Sequence, residues 1–174
     1  MATAIQLHQD AKEIFFDDLI VSKTDTTGRI TYANEMFCRV AGYSEAELLG
    51  QPHSIIRHPD MPRAVFKYLW DTLLEGREVF AYVKNLARSG DFYWVFAHVT
   101  PSHDAARKTV GYHSSRRIPD PRTVRDVIAP IYAELRREEQ RHRNGKDSLA
   151  AGYRALTELI AARNISYDEL IFSL

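Results

Sequence analysis

Apolar and polar positions alternate along most of residues 79–117, and this two-residue period is typical of β-strands. Turn residues divide that region into three strands. Two shorter β-rich runs, at 19–24 and 29–32, flank the turn Asp25-Thr26-Thr27-Gly28 and predict a hairpin. The pattern therefore predicts five strands in one antiparallel sheet.

Other stretches follow the 3.6-residue period of a helix. Asn34 is the expected N-cap of a first short helix, and Gly42 its end. Ser44-Glu45-Ala46-Glu47 matches the capping box of a second. One face of an antiparallel sheet is usually buried, so the helices should cover it, and the predicted fold class is α+β. The apolar stripe of a longer third helix consists of Val65, Phe66, Leu69, Trp70 and Leu73.

Beyond residue 118 the pattern changes to helices with apolar stripes. Positions 124, 128, 131 and 135 step by four, three and four, and the same spacing recurs later in the tail. The stripes could pack on the outer face of the sheet, on each other or on a second chain. The predicted organisation is a short helix or arm over 1–17, an α+β domain over 18–118 and a helical extension over 119–174.

Composition excludes several classes of function. The 174 residues carry 23 Lys plus Arg against 23 Asp plus Glu, which gives no charge excess that favours nucleic acid or an anionic membrane. No apolar run approaches the ~20 residues that span a bilayer, and the N-terminus lacks the pattern of a signal peptide. We therefore expect a cytoplasmic protein with no membrane span. The single cysteine, Cys38, excludes an internal disulfide and a cysteine-based zinc site.

The stretch 53–63 concentrates polar chemistry in a short loop with two prolines. Proline disfavours continuous helix here, so Arg57 and His58 should be held on a stiff loop beside a helix N-terminus. Asp60 is expected to cap that helix. Such a loop suits phosphate or carbonyl oxygens, although a capped loop with surface charges would have the same sequence.

The chain resembles a PAS domain over about residues 18–118, specifically the type at the N-terminus of bacterial aerotaxis receptors. Asn34 and Gly42-Tyr43 are general PAS features, whereas the block Arg57-His58-Pro59-Asp60-Met61-Pro62 points to the aerotaxis subgroup. Further matching segments are Ile20 to Asp25, Gly28 to Asn34, Gly50 to His53, Val83-Lys84-Asn85, Gly90-Asp91, Tyr93-Trp94-Val95 and Gly111-Tyr112.

The resemblance implies a PAS fold, with a five-stranded antiparallel sheet, a helical side wall and a ligand cavity. It also implies noncovalently bound FAD whose redox state is read out as a conformational change. Val79 stands where aerotaxis receptors commonly carry tryptophan, a difference that bears on flavin affinity or potential. Carried over by matching position, the expected cofactor-binding residues are Asn34, His53, Arg57, His58, Asp60, Trp70 and Asn85.

Other readings remain open at this point. A PAS interaction module could bind heme, another small ligand or none, and four histidines could serve heme. No nucleophile with a base and an orienting group is evident, so we expect no enzyme activity.

Cys38 lies one helix earlier than the cysteine of flavin-cysteine photoreceptors, so we expect no light sensing through a flavin-cysteine bond. The sequence has no membrane anchor or coiled-coil signalling region of the aerotaxis receptors, so its signal is expected to pass to a signalling partner or within a homo-oligomer. The four candidate heme ligands are His53, His58, His98 and His113.

Overall fold

A single antiparallel sheet of five strands organises the protein, as the alternating pattern predicted. In the computed structural model, which describes residues 8–174, the strands lie in the order β2-β1-β5-β4-β3. The sheet and the helices around it give an α+β fold. The strands are β1 Ile20–Thr24, β2 Ile30–Ala33, β3 Val79–Leu86, β4 Phe92–His103 and β5 Thr109–Arg117.

Two short helices follow the first hairpin, α1 Glu35–Ala41 and α2 Glu45–Leu48. The side chain of Asn34 accepts a hydrogen bond from the backbone N–H of Phe37, which confirms Asn34 as the N-cap of α1. Gly42 ends α1 with a φ of 75°, a left-handed conformation that glycine adopts without strain. The capping box at the start of α2 is also present.

Seven further helical segments or turns complete the chain, and the longest of them flank the sheet. A 3₁₀ turn precedes α3, and a π turn joins α4 to α5, so that residues 121–140 run as one helical stretch. Their bounds are 3₁₀ turn His53–Ile56, α3 Arg63–Leu74, α4 Pro121–Thr123, π turn Val124–Ile128, α5 Ala129–Gln140, α6 Gly145–Ala162 and α7 Tyr167–Phe172.

The two faces of β3 and β4 have different neighbours because successive side chains alternate across a strand. Tyr82 lies on the outer face, where its backbone carbonyl accepts a hydrogen bond of 2.6 Å from the Tyr132 hydroxyl of α5. Phe172 of α7 packs edge-on against Phe80, with ring centroids 4.6 Å apart. The apolar stripes of the tail therefore pack within the chain, on this outer face and on each other.

The segment before β1 forms an extended arm over its described part. Glu13 pairs with Phe92 in an isolated bridge, and the backbone N–H of Ile14 donates to the carbonyl of Phe92 over 2.7 Å. Residues 8–17 contain no helix, and residues 1–7 of the predicted arm or short helix lie outside the described range. Between residues 8 and 174, none of the helices is long and apolar enough to span a membrane.

Candidate functional site

A cavity of about 490 Å³ lies between the inner face of the sheet and α3. Its size falls within the roughly 300–1,000 Å³ typical of small-molecule and cofactor sites. Four strands, the loop before α3 and α3 itself contribute to its wall, and Leu149 of α6 also reaches it. The lining includes Ser22, Thr24, Gly28, His53, Arg57, Arg63, Phe66, Lys67, Leu69, Trp70, Val83, Asn85, Val95, Ala97, Tyr112, Ser114 and Arg116.

Four of the seven cofactor-binding residues expected from the sequence lie in this wall. Trp70 is on α3, and its ring meets that of Tyr112 edge-on with centroids 5.3 Å apart. Asn85 of β3 is 4% exposed and sits among the apolar side chains of the inner face. Arg57 and His53 come from the loop and turn before α3. The structure therefore brings one amide, one indole, one imidazole and one guanidinium together around a single cavity.

Arg57 is held in the wall by its neighbours. Its backbone forms an isolated antiparallel bridge with Asn85, which ties the loop to the edge strand β3. Its guanidinium lies over the ring of Phe66, 4.2 Å from the centroid. Partial burial lowers the pKa of this guanidinium, but the group stays charged at neutral pH. The fixed position leaves its N–H groups suited to an anionic or carbonyl ligand group.

Asn34 lies outside the cavity wall. Its Oδ1 accepts from the backbone N–H of Val21 as well as from that of Phe37, each over 3.0 Å. Its Nδ2 donates to the carbonyl of Leu19 over 2.8 Å. The side chain therefore joins β1 to α1 and has a structural role.

His58 and Asp60 also lie outside the wall. His58 is buried, its Nδ1 accepts from the Asp60 backbone N–H over 3.0 Å, and burial lowers its pKa to about 4. The Asp60 carboxylate accepts from Lys84 over 2.8 Å and from Arg136 of α5 over 2.9 Å. Both residues fix the loop that carries Arg57, and they do so from outside the cavity.

The prediction that Asp60 caps α3 is wrong, because a more distant residue does so. Pro62 at the N-cap position provides no side-chain hydrogen bond. Glu139 of α5, 6% exposed, accepts from the backbone N–H of Arg63 over 3.1 Å and from that of Ala64 over 2.8 Å. A carboxylate at a helix N-terminus is favourable because it meets unpaired amides and the positive end of the helix dipole. The tail is thus attached to the start of the helix that lines the cavity.

A polar cluster in the cavity wall joins His53, which the sequence predicted, to two buried residues that the sequence-based predictions missed, Ser22 and Arg116. Arg116 of β5 is 2% exposed, and its Nη2 donates to the hydroxyl of Ser22 on β1. That hydroxyl lies 3.2 Å from Nε2 of His53. Burial, together with the Arg116 charge, lowers the pKa of His53 to about 3, so its imidazole is neutral. Burial also lowers the pKa of Arg116 to about 10, and the guanidinium remains charged at neutral pH.

Four buried side-chain atoms have no hydrogen-bond partner among residues 8–174: Nε and Nη1 of Arg116 and Oγ1 of Thr24, whose residues line the cavity, and the hydroxyl of Tyr93, whose residue does not. Buried polar groups are nearly always paired, so each of these needs an explanation. All four can donate hydrogen bonds. The three donors of the lining residues fit a ligand that carries carbonyl oxygens and ring nitrogens, such as the ring system of a flavin.

The remaining candidates lie elsewhere. Cys38 is on α1 and is not part of the cavity wall, and burial raises the pKa of its thiol. His98 pairs with Glu78 over 2.6 Å and stacks on Phe80, with ring centroids 4.2 Å apart. Across the described range, His, Cys, Asp and Glu side chains form no cluster that could hold a metal ion. Of the four histidines considered for heme, His53 alone lines the cavity.

Comparison with known proteins gives one family and several relatives. The PAS fold family matches residues 30–116. The aerotaxis receptor of Escherichia coli (strain K12) is 42% identical over 120 residues, which cover 68% of this chain and 23% of the receptor. The nitrogen fixation regulatory protein of Klebsiella pneumoniae is 36% identical over 105 residues, which cover 58% of this chain and 21% of the regulator. The chain thus spans less than a quarter of the length of these relatives.

Solved structures support the same fold. A light-oxygen-voltage domain studied with a flavin analogue superposes with a TM-score of 0.57 at 17% identity, over 67% of this chain and 87% of that domain. The dark-state light-oxygen-voltage domain of the blue-light photoreceptor Aureochrome1 gives a TM-score of 0.57 at 22% identity, over 66% and 86% of the two chains. At these identities the match concerns the fold.

Proposed function

The chain belongs to the PAS family, and from that premise we propose that it is a sensory signalling module that binds FAD noncovalently and responds to redox state or oxygen-linked energy status. The observation that carries this proposal is the cavity, whose wall contains three buried donor atoms without a partner in the described chain, Nε and Nη1 of Arg116 and Oγ1 of Thr24. The similarity to the aerotaxis receptor, 42% identical over 120 residues, supports it. The module acts by changing its contacts with other proteins and is not an enzyme.

The polar residues of the wall fall into two groups that match the two halves of FAD. The first group consists of the buried Ser22 and Arg116 together with His53, and it suits the acceptor atoms of the flavin ring. Arg57 and Arg63 lie in the wall with greater exposure, where cations suit the diphosphate. Bound FAD would supply a reversible two-electron change at the ring. The protein residues bind the ring, orient it and keep water from it.

Changes at the cavity can reach the surface through the tail. Arg63 lines the cavity with its side chain, and its backbone N–H donates to Glu139 of α5. Leu149 of α6 lines the same cavity. A shift of α3 therefore acts directly on both long helices of the extension. The receiver of the signal is a signalling protein or a second copy of this chain.

The test is a visible absorption spectrum of the protein purified without added cofactor, repeated after dithionite and after reconstitution with FAD. We expect flavin bands that bleach on reduction. Arg57→Ala and Asn85→Ala should each weaken FAD binding by on the order of 10-fold, as the loss of a hydrogen bond near 1.4 kcal/mol would do. Arg88→Ala is the matched control, because Arg88 pairs with Glu47 away from the cavity.

Two results would overturn the proposal. A Soret band would identify the cofactor as heme. A spectrum without bands, unchanged by added FAD, would instead indicate a PAS interaction module that binds another ligand or none.

A further inference from the structure

Arg116 carries a buried positive charge that no acidic side chain of the described chain balances. No carboxylate between residues 8 and 174 lies within ion-pair distance of it, and its hydrogen bond goes to the neutral hydroxyl of Ser22. Its guanidinium lies over the ring of Phe37, 4.6 Å from the centroid. The neighbouring His53 is neutral, and the Tyr93 hydroxyl is protonated because burial raises its pKa. The charge is therefore compensated only by dipoles and a ring face.

Such an arrangement is costly in the ligand-free protein. A buried charge without a partner loses its hydration and regains little from neutral neighbours. A strongly desolvated ionisable group in the wall of a cavity is a candidate for a functional role. Arg116 lines the cavity, where a bound ligand would supply the missing partner.

We propose that Arg116 is the specificity-determining residue of the cavity and selects ligands whose buried end is an electron-rich or anionic aromatic ring edge. This inference rests on the proposed ligand site and adds the charge of the group that enters it. Attraction to the guanidinium favours a ring with carbonyl oxygens or negative charge over a neutral apolar ring of the same size. The more exposed Arg57 and Arg63 then serve the part of the ligand that remains near solvent.

Replacing Arg116 should raise the stability of the ligand-free protein and lower its affinity for the ligand, and these opposite changes test the proposal. In Arg116→Met the apolar side chain keeps much of the volume and removes the charge. Without ligand, the unfolding midpoint should rise by about 2–8 °C, since removing an unpaired buried charge stabilises. The affinities for FAD and for riboflavin should fall by on the order of 10- to 100-fold, and by similar factors, because both share the ring.

The matched control is Arg117→Met. Arg117 is the next residue of β5, faces the opposite side of the sheet over the ring of Phe96, and its replacement makes the same change in net charge. It should change neither affinity. A dye pair gives a readout that needs no flavin: anionic anilinonaphthalene sulfonate should bind the wild type more tightly than neutral phenylnaphthylamine, and Arg116→Met should reverse that preference.

Three outcomes would overturn the inference. A lower unfolding midpoint for ligand-free Arg116→Met would show that the charge is already compensated. A loss confined to FAD, with riboflavin unaffected, would place the phosphates at Arg116. An unchanged dye preference would show that the charge selects nothing. If the wild type binds neither flavin, the proposed function fails, while the midpoint and the dyes still decide the role of Arg116.

Discussion

Replacing Gly152 by alanine should destabilise the wild-type protein but stabilise a Glu139→Ala variant. Gly152 lies inside α6, where alanine is normally favoured over glycine by about 0.5–1 kcal/mol. Here a Cβ would lie 2.5 Å from Cγ and 2.6 Å from Oε1 of Glu139, closer than carbon and oxygen atoms approach. Gly152→Ala must therefore displace the carboxylate that caps α3.

The size of the effect follows from the bonds that are lost. Glu139 accepts from the backbone N–H groups of Arg63 and Ala64. Losing an N-terminal cap costs about 0.5–2 kcal/mol, and hydrogen bonds to charged groups contribute about 1.5–3 kcal/mol. After the intrinsic gain of alanine is subtracted, Gly152→Ala should destabilise the wild type by about 1–2 kcal/mol. For a chain of this length the unfolding midpoint should fall by about 2–8 °C.

In a Glu139→Ala background the same substitution meets no carboxylate. Gly152→Ala should then stabilise the protein by about 0.5–1 kcal/mol relative to Glu139→Ala alone. Urea unfolding followed by circular dichroism measures all four variants of the cycle. Glu138→Gln serves as the control, because its partner Arg141 is exposed and such pairs contribute about 0–1 kcal/mol. Equal effects of Gly152→Ala in both backgrounds would refute the capping role of Glu139.

Two further predictions concern pH and the tail. Folding lowers the pKa of His53 from 6.5 to about 3, so between these pH values the unfolded chain binds one proton more than the folded chain. The contribution of His53 to the free energy of unfolding is therefore complete above about pH 6.5 and is lost as the pH falls towards 3. His53→Gln should lower the number of protons taken up on unfolding by about one, as measured from the pH dependence of the free energy of unfolding in urea. An unchanged pH dependence would contradict the burial of a neutral His53 side chain. Deleting residues 120–174 should expose Tyr82 and Trp94, and therefore either increase the binding of an apolar dye or change the oligomeric state. A monomer in light scattering that binds no more dye than the full chain would contradict the packing of the tail on the outer face of the sheet.

Local sequence was sufficient to predict most of the fold. The alternation in 79–117 gave the three long strands, and the caps at Asn34 and Ser44 gave the starts of two helices. These features depend on residues a few positions apart, so they can be read from one sequence. The sheet order places β1 between β2 and β5, and this long-range pairing was not predicted from the sequence.

The errors at the site have a common physical cause. Asp60 has the right type and spacing for a cap, but Glu139, 75 residues from Ala64, takes that position. Arg116 is followed by Arg117, and two adjacent arginines at a strand end resemble a solvated terminus. The antiparallel register that pairs Arg116 with Ile20 sets one of them facing inward, and this depends on β1. A contact between residues distant in sequence cannot be read from local spacing.

The loop that carries Arg57 is therefore fixed from two sides. On the cavity side, Arg57 bridges to Asn85 and faces the ligand space. On the other side, Asp60 accepts from Arg136 of α5, and Glu139 of the same helix holds the start of α3. The residues between these contacts are few and include Pro59 and Pro62, which limit independent movement of the two ends. Under the proposed function, a ligand that shifts Arg57 must change the contacts of α5, and we therefore expect the helical extension to pass on the signal.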